Sequence, residues 1–385
     1  MKAAVLGSGL MGSVIAWDLA RSDDVDKVVV ADINPEKLAR ARRMTASKKL
    51  TTAVVDVKDT KRTVDFLREF DVVASALPHG AVNLANRAAV EAGAKMVDIA
   101  FEDEQMQLAG EAKKRGALLI PGCGLAPGLA GILLANGASM LDEAVEGHIF
   151  VGGLPQHPKP PLGYRLVFSM VGLLREYLED ARIIRDGKIV KVKPFDTVGK
   201  VIFSAPVGKC EAFCTDGLAT LLYSMKEMKI LDEKTVRWPG HAEKIRFLIE
   251  MGLFSKEKVT LDGAAVTPLD VSSELLSRVL SSGPPEDLTV MRVEVVGRKG
   301  PARASITYEM LDYYDRKKKI TSMGKTTGFT CSIVTRMVGN GEVSGIGVIP
   351  PEVALNAKLV QKLHSQLQAK GVKITENQNF ASVRF

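Results

Sequence analysis

Residues 3 to 20 read AAVLGSGLMGSVIAWDLA, with three glycines in the six positions Gly7-Ser8-Gly9-Leu10-Met11-Gly12. Before them, Lys2 to Leu6 has the character of a short buried strand. After them, Val14, Ile15 and Leu19 recur at helical spacing, with Asp18 and Arg21 between or beyond, so an amphipathic helix is expected. The glycines therefore sit at a strand-to-helix junction. There Gly7 permits the sharp turn, Gly9 leaves room for close approach to the backbone, and Gly12 lets the helix lie against the strand. The free N–H groups and the positive dipole end at the helix start favour an anion.

Lys27 to Ala31, KVVVA, reads as a second buried strand ending at Asp32, twenty residues after Gly12. An acid at that place can accept hydrogen bonds from the ribose hydroxyls of an adenine dinucleotide whose pyrophosphate lies on Gly7, Ser8, Gly9, Leu10, Met11 and Gly12. Its charge opposes a 2′-phosphate, so NAD is the expected cofactor rather than NADP. Asn34 and Lys37 soften that preference, because a neutral or basic neighbour can tolerate the phosphate. The bland alternative, a βαβ unit that binds nothing, leaves the spacing and the acid without a purpose.

Further short apolar runs follow at 50–57, 71–78, 95–100 and 117–122, separated by segments of helical length such as 82–92 and 104–115, which stop at Gly93 and Gly116. This alternation predicts an α/β fold, a Rossmann-type doubly wound parallel sheet with ligands at the carboxyl ends of its strands. By that topology Asp56 and Val57 belong near adenine, and Ala76, Leu77 and Pro78 near the nicotinamide ribose. His79 follows directly, either as a cofactor contact or as a histidine at the rim.

The chain has 385 residues, of which 46% are hydrophobic, enough for two cores. No apolar run approaches the roughly 20 residues that span a bilayer, and the amino end enters a strand directly, so a cytoplasmic protein without membrane contact is expected. Cys123, Cys210, Cys214 and Cys331 are too few and too scattered for a disulfide framework. CEAFC alternates like a strand and has no second ligand pair at zinc spacing, so no metal is expected. Residues 1–150 hold 18 Lys/Arg against 20 Asp/Glu, and the remainder 34 against 25, so the net charge of +7 lies away from the glycines. Its one dense run, Arg316 to Lys319, reads as a solvated hairpin tip. With 5% aromatic residues, nucleic-acid binding is not expected, and an electropositive cleft for a small anion fits the charge as well.

After the sixth run the character changes. PGCGLAPGLAGILLANGASML reads as a loop and then a helix begun by Pro127. Beyond it, EGHIFVGGL, RIIRDGKIVKV, KVIFSAP, TVRWPG, LTVMRVEVVGR and ARASITYEML read as strands, interleaved with helical stretches at 217–229, 241–251, 269–281 and 325–338. We expect a dinucleotide-binding domain over 1–125 and a second mixed α/β domain over 126–345, built on a largely antiparallel sheet. A final segment, 346–385, should return to the first domain.

VLGSGLMG, ASALP, PGCGLAPGLAGILL, VGGLPQHPKPPLGY, RWPGHAEKIRFL and GVIPPE, in this order along nearly the whole chain, resemble the saccharopine dehydrogenase-like family, and within it most closely the L-lysine 6-dehydrogenases. The resemblance implies a Rossmann domain paired with a mixed α/β domain, and self-association as a homodimer or higher homo-oligomer. It implies NAD-dependent oxidative deamination of the lysine side-chain amine to a semialdehyde that cyclises. A saccharopine dehydrogenase acting on a secondary amine is the nearest alternative. From another class comes a non-catalytic NAD sensor.

Hydride transfer from an amine carbon needs a neutral amine, while the unperturbed ammonium has a pKa of roughly 10.4. The amino-acid substrate therefore calls for a base or a desolvating pocket, and its carboxylate for a cation. Arg237-Trp238-Pro239-Gly240-His241 can project a guanidinium and an imidazole from one turn. This makes His241 a candidate proton acceptor and Arg237 a carboxylate clamp, although the pair can equally be a strand residue and a helix start. Asp98, at the end of the fifth run, is a candidate base or a helix cap, and Phe101 follows it at the reactive end of the cofactor. Arg165 is a second candidate anion site. Its basic character departs from the lysine 6-dehydrogenase pattern and leaves room for a substrate with an extra carboxylate.

Overall fold

The computed structural model describes residues 1–381. The first part of the chain alternates strand and helix: β1 (Lys2–Leu6), α1 (Leu10–Leu19), β2 (Lys27–Asp32), α2 (Pro35–Thr45), β3 (Leu50–Val54), α3 (Thr60–Leu67), β4 (Val72–Ser75), α4 (Val82–Ala92), β5 (Lys95–Asp98), α5 (Asp103–Gln107), α6 (Ala109–Arg115) and β6 (Leu118–Ile120). A second series follows: α7 (Leu129–Ser139), β7 (Glu143–Pro155), α8 (Met170–Leu178), β8 (Ala181–Arg185), β9 (Lys188–Val192), β10 (Val198–Phe203), β11 (Gly208–Cys214), α9 (Leu221–Ser224), β12 (Ile230–Arg237) and α10 (His241–Glu250). The rest comprises β13 (Val259–Leu261), β14 (Ala264–Val266), α11 (Pro268–Ser281), β15 (Asp287–Lys299), β16 (Ala302–Tyr313), α12 (Ser322–Gly339), β17 (Gly347–Val348), α13 (Pro351–Ala354), α14 (Ala357–Ala369) and β18 (Ile374–Ala381).

The seven-stranded sheet is parallel throughout, in the order β17-β6-β5-β4-β1-β2-β3. Its order reverses beside β1, which places the glycine turn at the switch point where such sheets take ligands. The second sheet has the path β10-β11-β12-β7-β15-β16-β18, with β8 and β9 branching from β12. Only β12 and β7 pair in parallel; the other pairs are antiparallel. Among the described residues no helix is long and apolar enough to cross a membrane.

Helix α12 joins the two sheets. It packs against β4 and β5 on one side and β15 on the other, and lies along α1. A Cβ on Gly328 would stand 2.9 Å from Val14 Cγ1, so the small residue sets the close approach of α12 to α1. Ser332 donates to Asp18 Oδ2 at 2.8 Å and Lys370 of the α14 C-cap to Oδ1 at 2.6 Å, satisfying a carboxylate that is otherwise fully buried. Helix α1 is consequently buried nearly all round, rather than on one face as its sequence alone suggests.

Two other local expectations change. The stretch 217–229 forms only the single turn α9, because Thr220 and Ser224 hydroxyls donate to Glu352 and the backbone before them curves around Glu233. The segment 104–115 divides into α5 and α6 at Leu108. The helix expected from Pro127 begins two residues later, at Leu129 with Gly128 as its N-cap.

Candidate active site

The turn after β1 is built for close approach. Gly7 has φ +91°, and a Cβ there would stand 2.5 Å from Ala76 O. A Cβ on Gly12 would lie 1.9 Å from Gly7 O, so only glycine lets α1 start against the turn. A Cβ on Gly9 would meet nothing within 4 Å; the position faces open space, as a backbone cradle for a pyrophosphate requires. Asp32, at the end of β2, accepts from the Ser8 N–H at 2.7 Å, the Ser8 hydroxyl at 2.8 Å and Asn34 N–H at 2.8 Å. Burial works against its ionisation, but these bonds and the charge of Lys37 outweigh it and hold the carboxyl below its ordinary range. The residues present thus fit an adenine dinucleotide.

This turn opens onto a cleft of about 1320 Å³. Gly7, Gly9, Leu10, Met11, Asp32, Asp56, Val57, Ala76, Leu77, Pro78 and Phe101 line it. Ser8 and Gly12 do not: Ser8 is turned back onto Asp32, and Gly12 is packed under Gly7. Lys37 and Lys58 stand at the same end as Asp32. His79 lines the cleft too, its Nδ1 2.8 Å from Glu102 Oε1 and 2.7 Å from Arg175 Nη1.

The facing wall comes from α8, β8, the β11–α9 loop and β12. Arg182 spans the cleft, with its guanidinium on both oxygens of Asp216 and its Nη1 donating to Asp103 Oδ2 at 2.6 Å. Tyr223 donates to the other Asp103 oxygen at 2.8 Å. Deeper in, Glu176 pairs with Arg237, whose guanidinium carbon lies 4.4 Å from the Tyr164 ring centroid. Burial raises the pKa of Glu176 despite that partner. On β12, Leu231, Glu233, Thr235 and Arg237 share one face and all are buried, so the strand changes from apolar to polar as it runs under the cleft.

Four of the chemically chosen residues lie elsewhere than expected. His241 does not line the cleft: it is 1% exposed, its Nδ1–H donates to Leu162 O at 3.0 Å, and Tyr177 Oη donates to Nε2 at 2.8 Å. Burial, helped by Arg237, pushes its pKa down to about 3, so it is a neutral structural link. The turn at Gly240, φ +85°, directs it inward. Arg237 lies behind the wall and reaches the cleft only through Glu176.

Asp98 is 1% exposed beneath the β5 end, accepting from Ala100 N–H at 2.9 Å and Asn86 Nδ2 at 3.0 Å. Burial raises it to about 7, but one oxygen holds the following loop at Ala100 and the other holds Asn86 of α4, and Asp98 does not line the cleft. The Arg165 guanidinium is taken up by the carbonyls of Gly283 and Pro284 at 2.8 and 2.9 Å. Sequence reading missed the wall itself, Glu176, Arg175, Arg182 and Glu233. The available signal was the run of polar residues on one face of a strand flanked by strands on both sides.

The family model of the saccharopine dehydrogenase NADP binding domain matches residues 3–120, and that of the saccharopine dehydrogenase C-terminal domain matches 124–372. Rattus norvegicus alpha-aminoadipic semialdehyde synthase is 24% identical over 273 residues, covering 66% of this chain and 29% of that protein. Saccharomyces cerevisiae saccharopine dehydrogenase (NADP(+), L-glutamate-forming) is 24% identical over 264 residues, covering 66% and 58%. The chain thus spans less than two thirds of either relative. In fold it is similar to the solved apo saccharopine dehydrogenase (L-Glu forming) from Saccharomyces cerevisiae, with a TM-score of 0.80 at 21% identity over 98% of this chain and 99% of that one. Since the two family models take up nearly all of its length in order, the chain belongs to the saccharopine dehydrogenase family.

Proposed function

We propose that this protein is a nicotinamide-dependent oxidoreductase that uses NAD to oxidise the side-chain amine of L-lysine, releasing ammonia and a semialdehyde. The observation that carries this reading is the charge of the cleft beyond the nucleotide end. Glu102, Asp103, Glu104, Glu176, Glu179, Asp180, Asp216 and Glu233 line it, against Arg175, Arg182 and Lys191. Such a wall favours a substrate rich in ammonium groups over one rich in carboxylates. Arg182 is already neutralised by Asp216 and Asp103, and Arg175 is paired with Glu179 at 2.8 Å, which leaves Lys191 to attract the single α-carboxylate of lysine. The bound dinucleotide supplies the hydride acceptor. Asp32, anionic at neutral pH, favours NAD over its 2′-phosphorylated form.

Family membership favours a second reading, in which a secondary amine such as saccharopine is the donor, as the name of the yeast relative suggests for it. NAD reduction, followed by absorbance with lysine, saccharopine and simple diamines at neutral and alkaline pH, separates the two. Turnover of lysine but not saccharopine supports the first reading, and the reverse supports the second. No turnover of any amine, with dinucleotide binding intact, would replace both by an NAD sensor. Self-association is part of the proposal. The exposed Phe247 on α10, Met251 at its C-cap and Leu275 on α11 are an apolar surface suited to a second copy, and sedimentation of the intact chain measures it.

A further inference from the structure

A buried carboxylate opening onto a cleft calls for a purpose. Glu233 is 4% exposed, lines the cleft, and has one side-chain partner, the Thr215 hydroxyl, which donates to Oε2 at 2.5 Å and contacts Thr235 Oγ1 at 2.9 Å. Gly217 makes room for it: a Cβ there would stand 2.6 Å from Oε2, so the loop backbone lies directly on the carboxyl. Gly217 also shares a small cavity with Ala126 and Pro127, which follow β6. Glu233 therefore lines the same cleft as Ile99 and Phe101, which follow the carboxyl end of β5.

We propose that Glu233 takes the proton from the reacting ammonium of the substrate, with Thr215 fixing the carboxyl and the adjacent Glu176–Arg237 pair setting its orientation and field. The proposal rests on the amine-dehydrogenase reading above and goes beyond it by naming the proton acceptor. Burial raises the Glu233 pKa to about 8; the Thr215 hydrogen bond opposes this, Glu176 and Asp216 reinforce it, and Arg237 opposes it. Those are the charged groups facing it from α8, from the β11–α9 loop and from its own strand; Ile149 flanks it on β7. A base with that value suits an ammonium donor at mildly alkaline pH.

One N–H bond of the ammonium breaks, its electron pair stays on nitrogen, and the proton moves to a Glu233 oxygen. Hydride then leaves the amine carbon for oxidised nicotinamide while the nitrogen lone pair forms C=N. Water adds to that carbon, the C–N bond breaks, and ammonium departs with the aldehyde left behind. The proton on Glu233 returns to solvent.

The test has two arms on the intact protein. In the first, kcat/KM for lysine is followed from pH 6 to 10 in wild type and Glu233→Gln. We expect a limb near pH 8 in the wild type, and in the variant the loss of that limb with about 100-fold lower kcat and unchanged NADH affinity. Thr215→Val should move the limb upward and lower kcat/KM by less than Glu233→Gln does, because it removes the hydrogen bond that holds the carboxyl and favours its charged form. In the second arm, lysine is titrated into the NADH complex near pH 7 in buffers of different ionisation heat. Wild type should release a proton as the ammonium settles beside Glu233, and Glu233→Gln should release none. A limb retained in Glu233→Gln, or equal proton release by both proteins, overturns the proposal. Proton release confined to wild type with no amine oxidised would support the ammonium contact and overturn the dehydrogenase reading alone.

Discussion

The carboxylate of Asp32 accepts both the backbone N–H and the hydroxyl of Ser8 on one oxygen, at 2.7 and 2.8 Å, and so ties the glycine turn to the end of β2. Asp32→Asn keeps the shape and removes the charge. We expect kcat/KM with NAD to fall about tenfold and the NAD/NADP ratio of kcat/KM to fall with it, on the scale of one charge-assisted hydrogen bond. Steady-state kinetics with both cofactors measures this, and an unchanged NAD/NADP ratio would remove Asp32 from the specificity. Because its folded pKa is lowered, its contribution to stability is present above the unfolded carboxylate value and lost as pH falls through the folded one.

Gly12→Ala and Gly9→Ala should separate folding from binding. The first forces a Cβ to within 1.9 Å of Gly7 O and should destabilise the protein by about 3 kcal/mol or more. The second meets no atom and should leave the melting temperature within a degree or so, while weakening NADH binding about tenfold or more by intruding on the cradle. Thermal unfolding and nicotinamide fluorescence read the two effects, and equal Tm losses in both variants would contradict the geometry.

Buried His241 and Glu233 give stability opposite slopes with pH. His241 drops from 6.5 to about 3 on folding, so its contribution is full above pH 6.5 and is lost as pH falls from there. Glu233 rises from 4.5 to about 8, so its contribution is full below pH 4.5 and is lost as pH rises towards 8. Each can amount to a few kcal/mol at order of magnitude. Urea midpoints between pH 4 and 9 should therefore lose their acid-side fall in His241→Gln and part of their alkaline-side fall in Glu233→Gln. Parallel profiles in all three proteins would count against both assignments.

The parallel half of the fold was legible because its signals are local: glycines at a strand-helix junction, Asp32 at the end of the next strand, and helices stopped at Gly93 and Gly116. The cleft wall was not, because a crossover brings it together. Glu176 comes from α8, Arg182 from β8, and Glu233 from a strand that pairs in parallel with β7, some eighty residues earlier in the chain. Arg237 and His241 misled because proximity in sequence says nothing of which side of a turn faces the cleft; the left-handed Gly240 sends the imidazole inward. On β12 itself the pattern was readable, since Leu231, Glu233, Thr235 and Arg237 put three polar groups on a face that an ordinary strand makes apolar.

Arg165 and Arg182 should respond differently to the same substitution. Arg165→Met removes hydrogen bonds to Gly283 and Pro284, and should lower stability by about 1 kcal/mol with kcat/KM unchanged. Arg182→Met cuts the tie between Asp216 and Asp103 across the cleft, and should raise the amine KM about tenfold while leaving NADH binding near the wild-type value. A tenfold KM effect at Arg165 would restore it as a substrate contact.

The pairing of β17 with β6 makes the first sheet depend on a distant part of the chain. Strand β17 and the helix that covers Val14 and Ile15, α12, both follow the strands β7 to β16 of the second sheet in the sequence. Residues 1–120 by themselves would carry an open β6 edge and an uncovered apolar helix, surfaces that self-associate when left bare. The dinucleotide-binding half thus depends on the second half for its cover, and expressed alone it should aggregate.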